Sequence, residues 1–120
     1  MTYQGKVEKA LQREFKNDLF CSQWIRFADA NGFGYAQPDY YLICKDKIIC
    51  FEAKLTQNYL GLRQLLSLYS PLLSHIYSLP VVGVLVFKNI TEDIDRRIEA
   101  PREVLSLSAR SLTYYWHYVP

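Results

Sequence analysis

Gln37-Pro38-Asp39-Tyr40-Tyr41-Leu42-Ile43, a charged break at Lys45-Asp46-Lys47, and then Ile48-Ile49-Cys50-Phe51-Glu52-Ala53-Lys54 form the stretch that decides how this chain folds. Both flanks are β-branched and aromatic, and the short polar connection marks an antiparallel hairpin with strands at 40–44 and 48–53. Side chains alternate along a strand, so Glu52 and Lys54 share one face while Ile49, Phe51, Ala53 and Leu55 make the other. An acid and a base on the otherwise apolar side of a sheet are costly unless they are paired or used. Asp39 opens the partner strand. An even connection sets it opposite Glu52 or Lys54, on their face; a three-residue loop without a bulge sets it opposite Ala53, on the wrong one. The reading therefore requires an even register or a bulge beside the site.

Working outward, Val7, Ala10, Leu11, Phe15 and Leu19 recur at helical spacing and predict a helix over residues 6–20. Trp24-Ile25-Arg26-Phe27 reads as a short strand, and Asn31-Gly32-Phe33-Gly34 as a turn. Downstream, residues 58–77 predict a second helix with a stripe of Leu62, Leu65, Leu66, Leu68, Leu72 and Leu73. Pro71 kinks or splits it, because proline lacks the N–H donor. The continuous β-branched run from Val81 to Phe87 predicts a strand buried on both faces. Thr91, with Glu92, Asp93 and Asp95 behind it, starts a short third helix that ends before Pro101. The aromatic tail, 112–119, is strand-like. The expected architecture is α/β, a mixed four- to five-stranded sheet flanked by helices in the order αβββαβ.

A chain of 120 residues makes one domain, 1–120, large enough for a real core. At 50% hydrophobic and 22% charged residues it is not a disordered composition. The net charge of +2 neither requires nor excludes a nucleic-acid partner, since a local basic patch matters more than the total. No apolar run approaches the ~18 residues of a membrane span, and the N-terminus runs directly into a charged helical pattern, so no signal peptide, no membrane partner and a cytoplasmic location are expected. Cys21, Cys44 and Cys50 are odd in number and lack zinc-site spacing, which predicts reduced core thiols.

Two carboxylates converging from adjacent strand ends make a hard oxygen site suited to Mg²⁺ or Mn²⁺. Such a cation polarises a phosphoryl oxygen and activates water. An ammonium beside it, Lys54, orients the attacking water or offsets developing charge. These are the parts a phosphodiester hydrolase needs. The plain structural alternative has Asp39 capping a turn after proline and Glu52 pairing with Lys54 at the surface. It would explain an isolated E-x-K, but it leaves unexplained a Pro-Asp at hairpin distance before it and a long helix after it.

In this order, Pro38-Asp39 and Glu52-Ala53-Lys54 resemble the PD-(D/E)xK nuclease superfamily, the restriction-endonuclease-like fold, over roughly residues 6–87. The resemblance implies a metal-dependent DNA endonuclease in which Asp39 and Glu52 hold the metal and Lys54 assists the water. Holliday-junction resolvases and the VRR-NUC group also carry a metal-binding glutamate on the first helix. Glu8 looks like that residue, with Glu14 as the alternative. Exonuclease-type members place a glutamine and a tyrosine four residues apart on the helix after E-x-K. Here Gln64 and Tyr69 are five apart, a spacing that does not share a face of a regular α-helix. Gln64 alone is kept as a catalytic candidate, with Gln57 as a second. Small nucleases of this kind often dimerise to span a duplex, so a homodimer on DNA is the implied assembly. The rival readings are a non-catalytic DNA-binding or assembly module of the same fold and an RNA nuclease. Lys45 and Lys47 at the hairpin turn, Arg26, and a cluster of Arg96, Arg97 and Arg102 are the further cationic candidates for a DNA backbone. His75 and His117 are isolated. The ten tyrosines show no spacing that marks a platform for bases.

Overall fold

Thr2 starts the first helix by accepting the Gly5 amide on its side-chain oxygen at 3.0 Å, satisfying one of the donors that a helix N-terminus leaves open. The computed structural model describes residues 1–57, 59–90, 96–98, 101–109 and 113–120, and helix α1 spans Tyr3–Phe15. Val7, Ala10, Leu11 and Phe15 form its buried stripe, as the periodicity predicts. The helix does not reach residue 20. Lys16 turns to a positive φ of 50°, Lys16–Asp18 make one 3-10 turn, and Leu19–Cys21 is strand β1. Asn17 and Asp18 are weak helix formers that compete for the backbone, which favours release there. Leu19 lies four residues after Phe15 and fits the helical period by coincidence.

Strands β2 (Ile25–Asp29) and β3 (Gly32–Ala36) pair antiparallel as a separate two-stranded ribbon. The expected strand at 24–27 is therefore present but outside the main sheet. The glycine-containing stretch is mostly a second strand rather than a turn. Asp29 closes the reversal by accepting the Asn31 amide at 2.8 Å. An isolated two-stranded ribbon is marginal in water, and this one is anchored. Ile25 and Ala36, from its inner face, are buried in a cluster with Tyr41, Leu65 and Tyr69.

Strands β4 (Tyr40–Ile43) and β5 (Ile48–Thr56) form the expected hairpin. The chain then passes through α2 (Tyr59–Gln64), a π-helical turn (Leu65–Tyr69) and α3 (Ser70–Tyr77) as one helical run. Asn58, the first residue of the expected helix, lies outside the described residues. Pro71 does not break the run. The turn just before it is widened, with the Ser70 amide bonding the Leu65 carbonyl five residues back. Proline's ring crowds the carbonyl four residues earlier, and the extra residue of a π turn makes room for it.

Strand β6 (Val81–Asn89) is buried from Val82 to Phe87, as its unbroken β-branched run predicts for a strand covered on both faces. Strands β7 (Arg96–Ile98) and β8 (Tyr114–His117) complete the sheet. A helix was expected at 96–98; the remainder of that expectation, 91–95 and 99–100, lies outside the described residues, as does Leu112. Pro101–Ser106 is a 3-10 helix that buries Val104. The fold is α/β. Its main sheet has six strands in the order β1-β4-β5-β6-β8-β7, against an expected four to five. β1, β4 and β5 run antiparallel, and β6 and β8 run parallel to β5. Helix α1 covers one face over Ile49, Phe51, Ala53, Val84 and Val86. The α2–α3 run and the ribbon cover the other over Tyr41, Ile48 and Cys50. No described helix is long and apolar enough to cross a membrane.

Candidate active site

Tyr40 pairs with Phe51 and Ile43 with Ile48, and the Cys44 amide donates to the Lys47 carbonyl at 2.8 Å. Only Lys45 and Asp46 lie beyond that last pair, so the connection is even. One step past Tyr40↔Phe51, the same register sets Asp39 opposite Glu52. The Asp39 carboxylate accepts the Ala53 amide on Oδ2 at 2.8 Å, which locks it against β5. Asp39, Glu52 and Lys54 thus share the face that carries Tyr41, Ile48 and Cys50, beneath the α2–α3 run. The alternation of β5 does the rest, because Phe51 and Ala53 must enter the α1 side of the core.

Glu52 is 2% exposed and is the only charged residue buried among those described. Its Oε1 faces Lys54 Nζ at 3.6 Å, and its Oε2 is buried with no hydrogen-bond donor. Burial, followed by the adjacent charge of Asp39, pushes the Glu52 carboxyl up to about 8, with Lys54 pulling the other way. Burial also raises Asp39, against the Ala53 amide and Lys54. The two carboxyls stand on facing strand positions, and the negative charge of Asp39 raises Glu52. When both are ionised neither can donate, so the pair either retains a proton or requires a cation.

Lys54 is held from the helix side by Gly61. A Cβ there would sit 2.9 Å from Lys54 Cγ and 3.1 Å from Leu85 Cδ1, so the missing side chain lets α2 lie directly on the lysine stem. The sequence held no readable signal for this role, since a glycine inside a helical pattern reads only as a weak helix former. Tyr69 is also buried. Its phenol is raised to about 12, by burial first and then by the charges of Glu52 and Asp39. It lies near enough to the two carboxyls for their charge to disfavour its ionisation. Gln64 keeps Oε1 buried without a partner. The five-residue spacing of Gln64 and Tyr69 is corrected by the π turn between them. Such a turn spends one extra residue, so five residues across it return close to the face that four reach in an α-helix.

From α1, the residue that reaches the site is Gln4, whose Nε2 donates to Asp39 Oδ1 at 3.2 Å. Sequence reasoning missed it, because an exposed glutamine at a helix start looks like any surface amide. Glu8, one turn further on, acts on Cys21 and Tyr40. The described residues contain no group of three or more His, Cys, Asp or Glu side chains able to hold a metal, so Glu8 is not gathered with Asp39 and Glu52. Glu14 is taken up by Arg102, at 2.9 Å. The Gln57 amide bonds the Asn89 carbonyl at 3.0 Å, extending the β5–β6 edge. Lys45 and Lys47 sit at the far end of the hairpin, about 16 Å from Asp39 at ~3.3 Å per strand residue. His117 bonds the Lys88 carbonyl through Nε2 at 2.7 Å and stacks on Phe87. All three cysteines are free thiols.

Compared with known proteins, the chain matches no family model, no curated protein and no solved structure.

Proposed function

We propose that this protein is a Mg²⁺- or Mn²⁺-dependent endonuclease of the PD-(D/E)xK type that hydrolyses phosphodiester bonds in DNA. The observation that carries this reading is the buried pair Asp39–Glu52 beside Lys54, with Glu52 Oε2 lacking any donor. A surface ion pair has no reason to bury a carboxylate against a second one, because desolvation outweighs the gain. The order α1, β1, β4, β5, α2–α3, β6 supports the restriction-endonuclease-like core, with the ribbon inserted after β1 and two strands appended.

The donor set fits a small hard cation. Asp39 and Glu52 supply carboxylate oxygens, and Mg²⁺ commonly takes one or two carboxylates and completes its shell with water and substrate phosphate. Bound there, the ion supplies a Lewis acid for a phosphoryl oxygen. Glu52 Oε2 is the atom left available for it, while Oε1 keeps Lys54 in place. Lys54 Nζ would donate a hydrogen bond that orients the attacking water, or would offset the charge that develops on the oxygen leaving phosphorus. The Ala53 amide and Gln4 hold Asp39 in one orientation, and Tyr69 remains a donor at neutral pH.

The direct test incubates supercoiled plasmid, linear duplex and single-stranded DNA, alongside an RNA of the same sequence, with EDTA, Mg²⁺ or Mn²⁺. Cleavage of DNA that needs the cation and falls at least 100-fold in Lys54→Ala is the expected result. Equal cleavage by wild type and Lys54→Ala removes the assigned chemistry. Cleavage confined to RNA replaces the substrate.

A further inference from the structure

The β2–β3 ribbon has two unlike faces. In its register Arg26 stands opposite Tyr35 and Ala28 opposite Phe33. This outer face exposes Phe33 at 73% and Tyr35 at 66%, and Trp24, the residue just before the strand, is 69% exposed. Three large rings left in water on one short ribbon form a patch that folding alone does not explain. The Arg26 guanidinium lies 4.3 Å from the Phe33 ring centroid, so a cation is already set among the rings. The inner face is fixed by Ile25 and Ala36 and by Phe27. That ring crosses Gly34 so closely that a Cβ there would sit 2.5 Å from Phe27 Cζ. The ribbon is therefore anchored to the core through this face.

Its position points to the occupant. The ribbon begins after β1 and returns into Gln37-Pro38-Asp39. Both ends are tied together by the Ser22 amide to the Asp39 carbonyl at 2.9 Å and by Gln37 Nε2 to the Ser22 carbonyl at 2.9 Å. Tyr35 is four residues from Asp39, about 13 Å of extended chain at ~3.3 Å per residue. That is a span of about four base steps at ~3.4 Å each. Exposed rings interleaved with a guanidinium, beside a phosphodiester site, have the chemistry of a stacking surface for unpaired bases. We infer that the outer face of the ribbon, Arg26, Phe33 and Tyr35, together with Trp24 just before it, binds single-stranded DNA and leads it to the Asp39–Glu52 site. The substrate of the proposed nuclease is then DNA with an unpaired segment next to the cleaved bond. The inference rests on the nuclease reading both for the choice of occupant and for the route to the site.

Tryptophan fluorescence reads the contact directly, because Trp24 is exposed while Trp116, the other tryptophan, is 1% exposed. The full chain is titrated in EDTA with an oligo-dT strand, a blunt duplex of equal length and an oligo-rU strand. Oligo-dT is expected to quench Trp24 and to bind at least tenfold more tightly than the duplex. Trp24→Ala and Tyr35→Ala should each weaken oligo-dT binding by about fivefold or more, as loss of one stacked base does. Their circular dichroism should remain that of wild type. Unquenched fluorescence with unaltered binding in both variants overturns the inference. So does equal or tighter binding of the duplex, or tighter binding of oligo-rU. Concentration-dependent dimerisation abolished by Trp24→Ala, without oligo-dT binding, assigns the patch to a second copy and also overturns it. Strand binding with quenching but no cleavage in Mg²⁺ keeps the platform and removes the nuclease. Cleavage unaffected by Trp24→Ala and Tyr35→Ala does the reverse.

Discussion

Replacing Glu52 by Gln removes one charge from the buried pair and keeps the side chain's shape. Because folding raises the proton affinity of this carboxyl from 4.5 to about 8, the folded state holds a proton that the unfolded chain gives up. Its stabilising contribution is complete below about pH 4.5 and is lost as pH rises to about 8. At about 1.4 kcal/mol for each tenfold change in proton affinity, the ceiling is about 5 kcal/mol. Proton sharing with Asp39 reduces this to about 2–4 kcal/mol. For a domain of this size that is a melting-temperature difference of about 8–15 °C. Thermal unfolding followed by circular dichroism from pH 4.5 to 9 in EDTA should show wild type and Glu52→Gln converging at the acid end. At pH 8.5 the variant should melt higher by that margin. Millimolar Mn²⁺ should raise wild type at pH 8.5 and leave Glu52→Gln nearly unmoved, since a cation that binds only the folded state adds its binding energy to stability. Parallel curves for the two proteins across the whole range would refute the account of a strained carboxylate pair.

Other outcomes follow from the same contacts. Lys54→Ala should lower DNA cleavage at least 100-fold while the fold persists, measured by plasmid nicking beside a thermal melt. Gly61→Ala places a methyl 2.9 Å from Lys54 Cγ. Stability should drop by about 1–3 kcal/mol in denaturant unfolding, and cleavage should fall beyond what the residual folded fraction explains. Gly34→Ala drives a methyl into the Phe27 ring at 2.5 Å. It should loosen the ribbon, read as faster amide exchange across β2 and β3 with β5 and β6 unchanged. Mn²⁺ affinity, followed calorimetrically, should strengthen as pH rises from 6 to 8.5, because the cation displaces a proton held on the Asp39–Glu52 pair.

Much of the site was legible in the chain because strand alternation is a rigid rule. Once residues 48–54 are a strand with one apolar face, Glu52 and Lys54 must share the other, and the Pro-Asp at hairpin distance has only two registers to choose between. The tail strand was readable in the same way. The helix expected at 91–100 was not, and its described part, Arg96–Ile98, is a strand. Local capping signals there carried no information about the open edge of β8, with which those residues pair. The end of α1 was missed for a related reason: spacing of four between Phe15 and Leu19 is compatible with both the helix and the strand that follows it.

The sequence by itself determined the α/β class, the central strands and the common face of Glu52 and Lys54, since these depend on periodicities built into the backbone. Only the tertiary structure decided which register brought Asp39 onto Glu52 and how deeply the pair was buried. The same holds for Gln4 rather than Glu8 reaching Asp39 and for the π turn bringing Tyr69 to the carboxylates. Those outcomes depend on how distant segments pack, and on whether one glycine or one extra helical residue lets them approach, which no local pattern encodes.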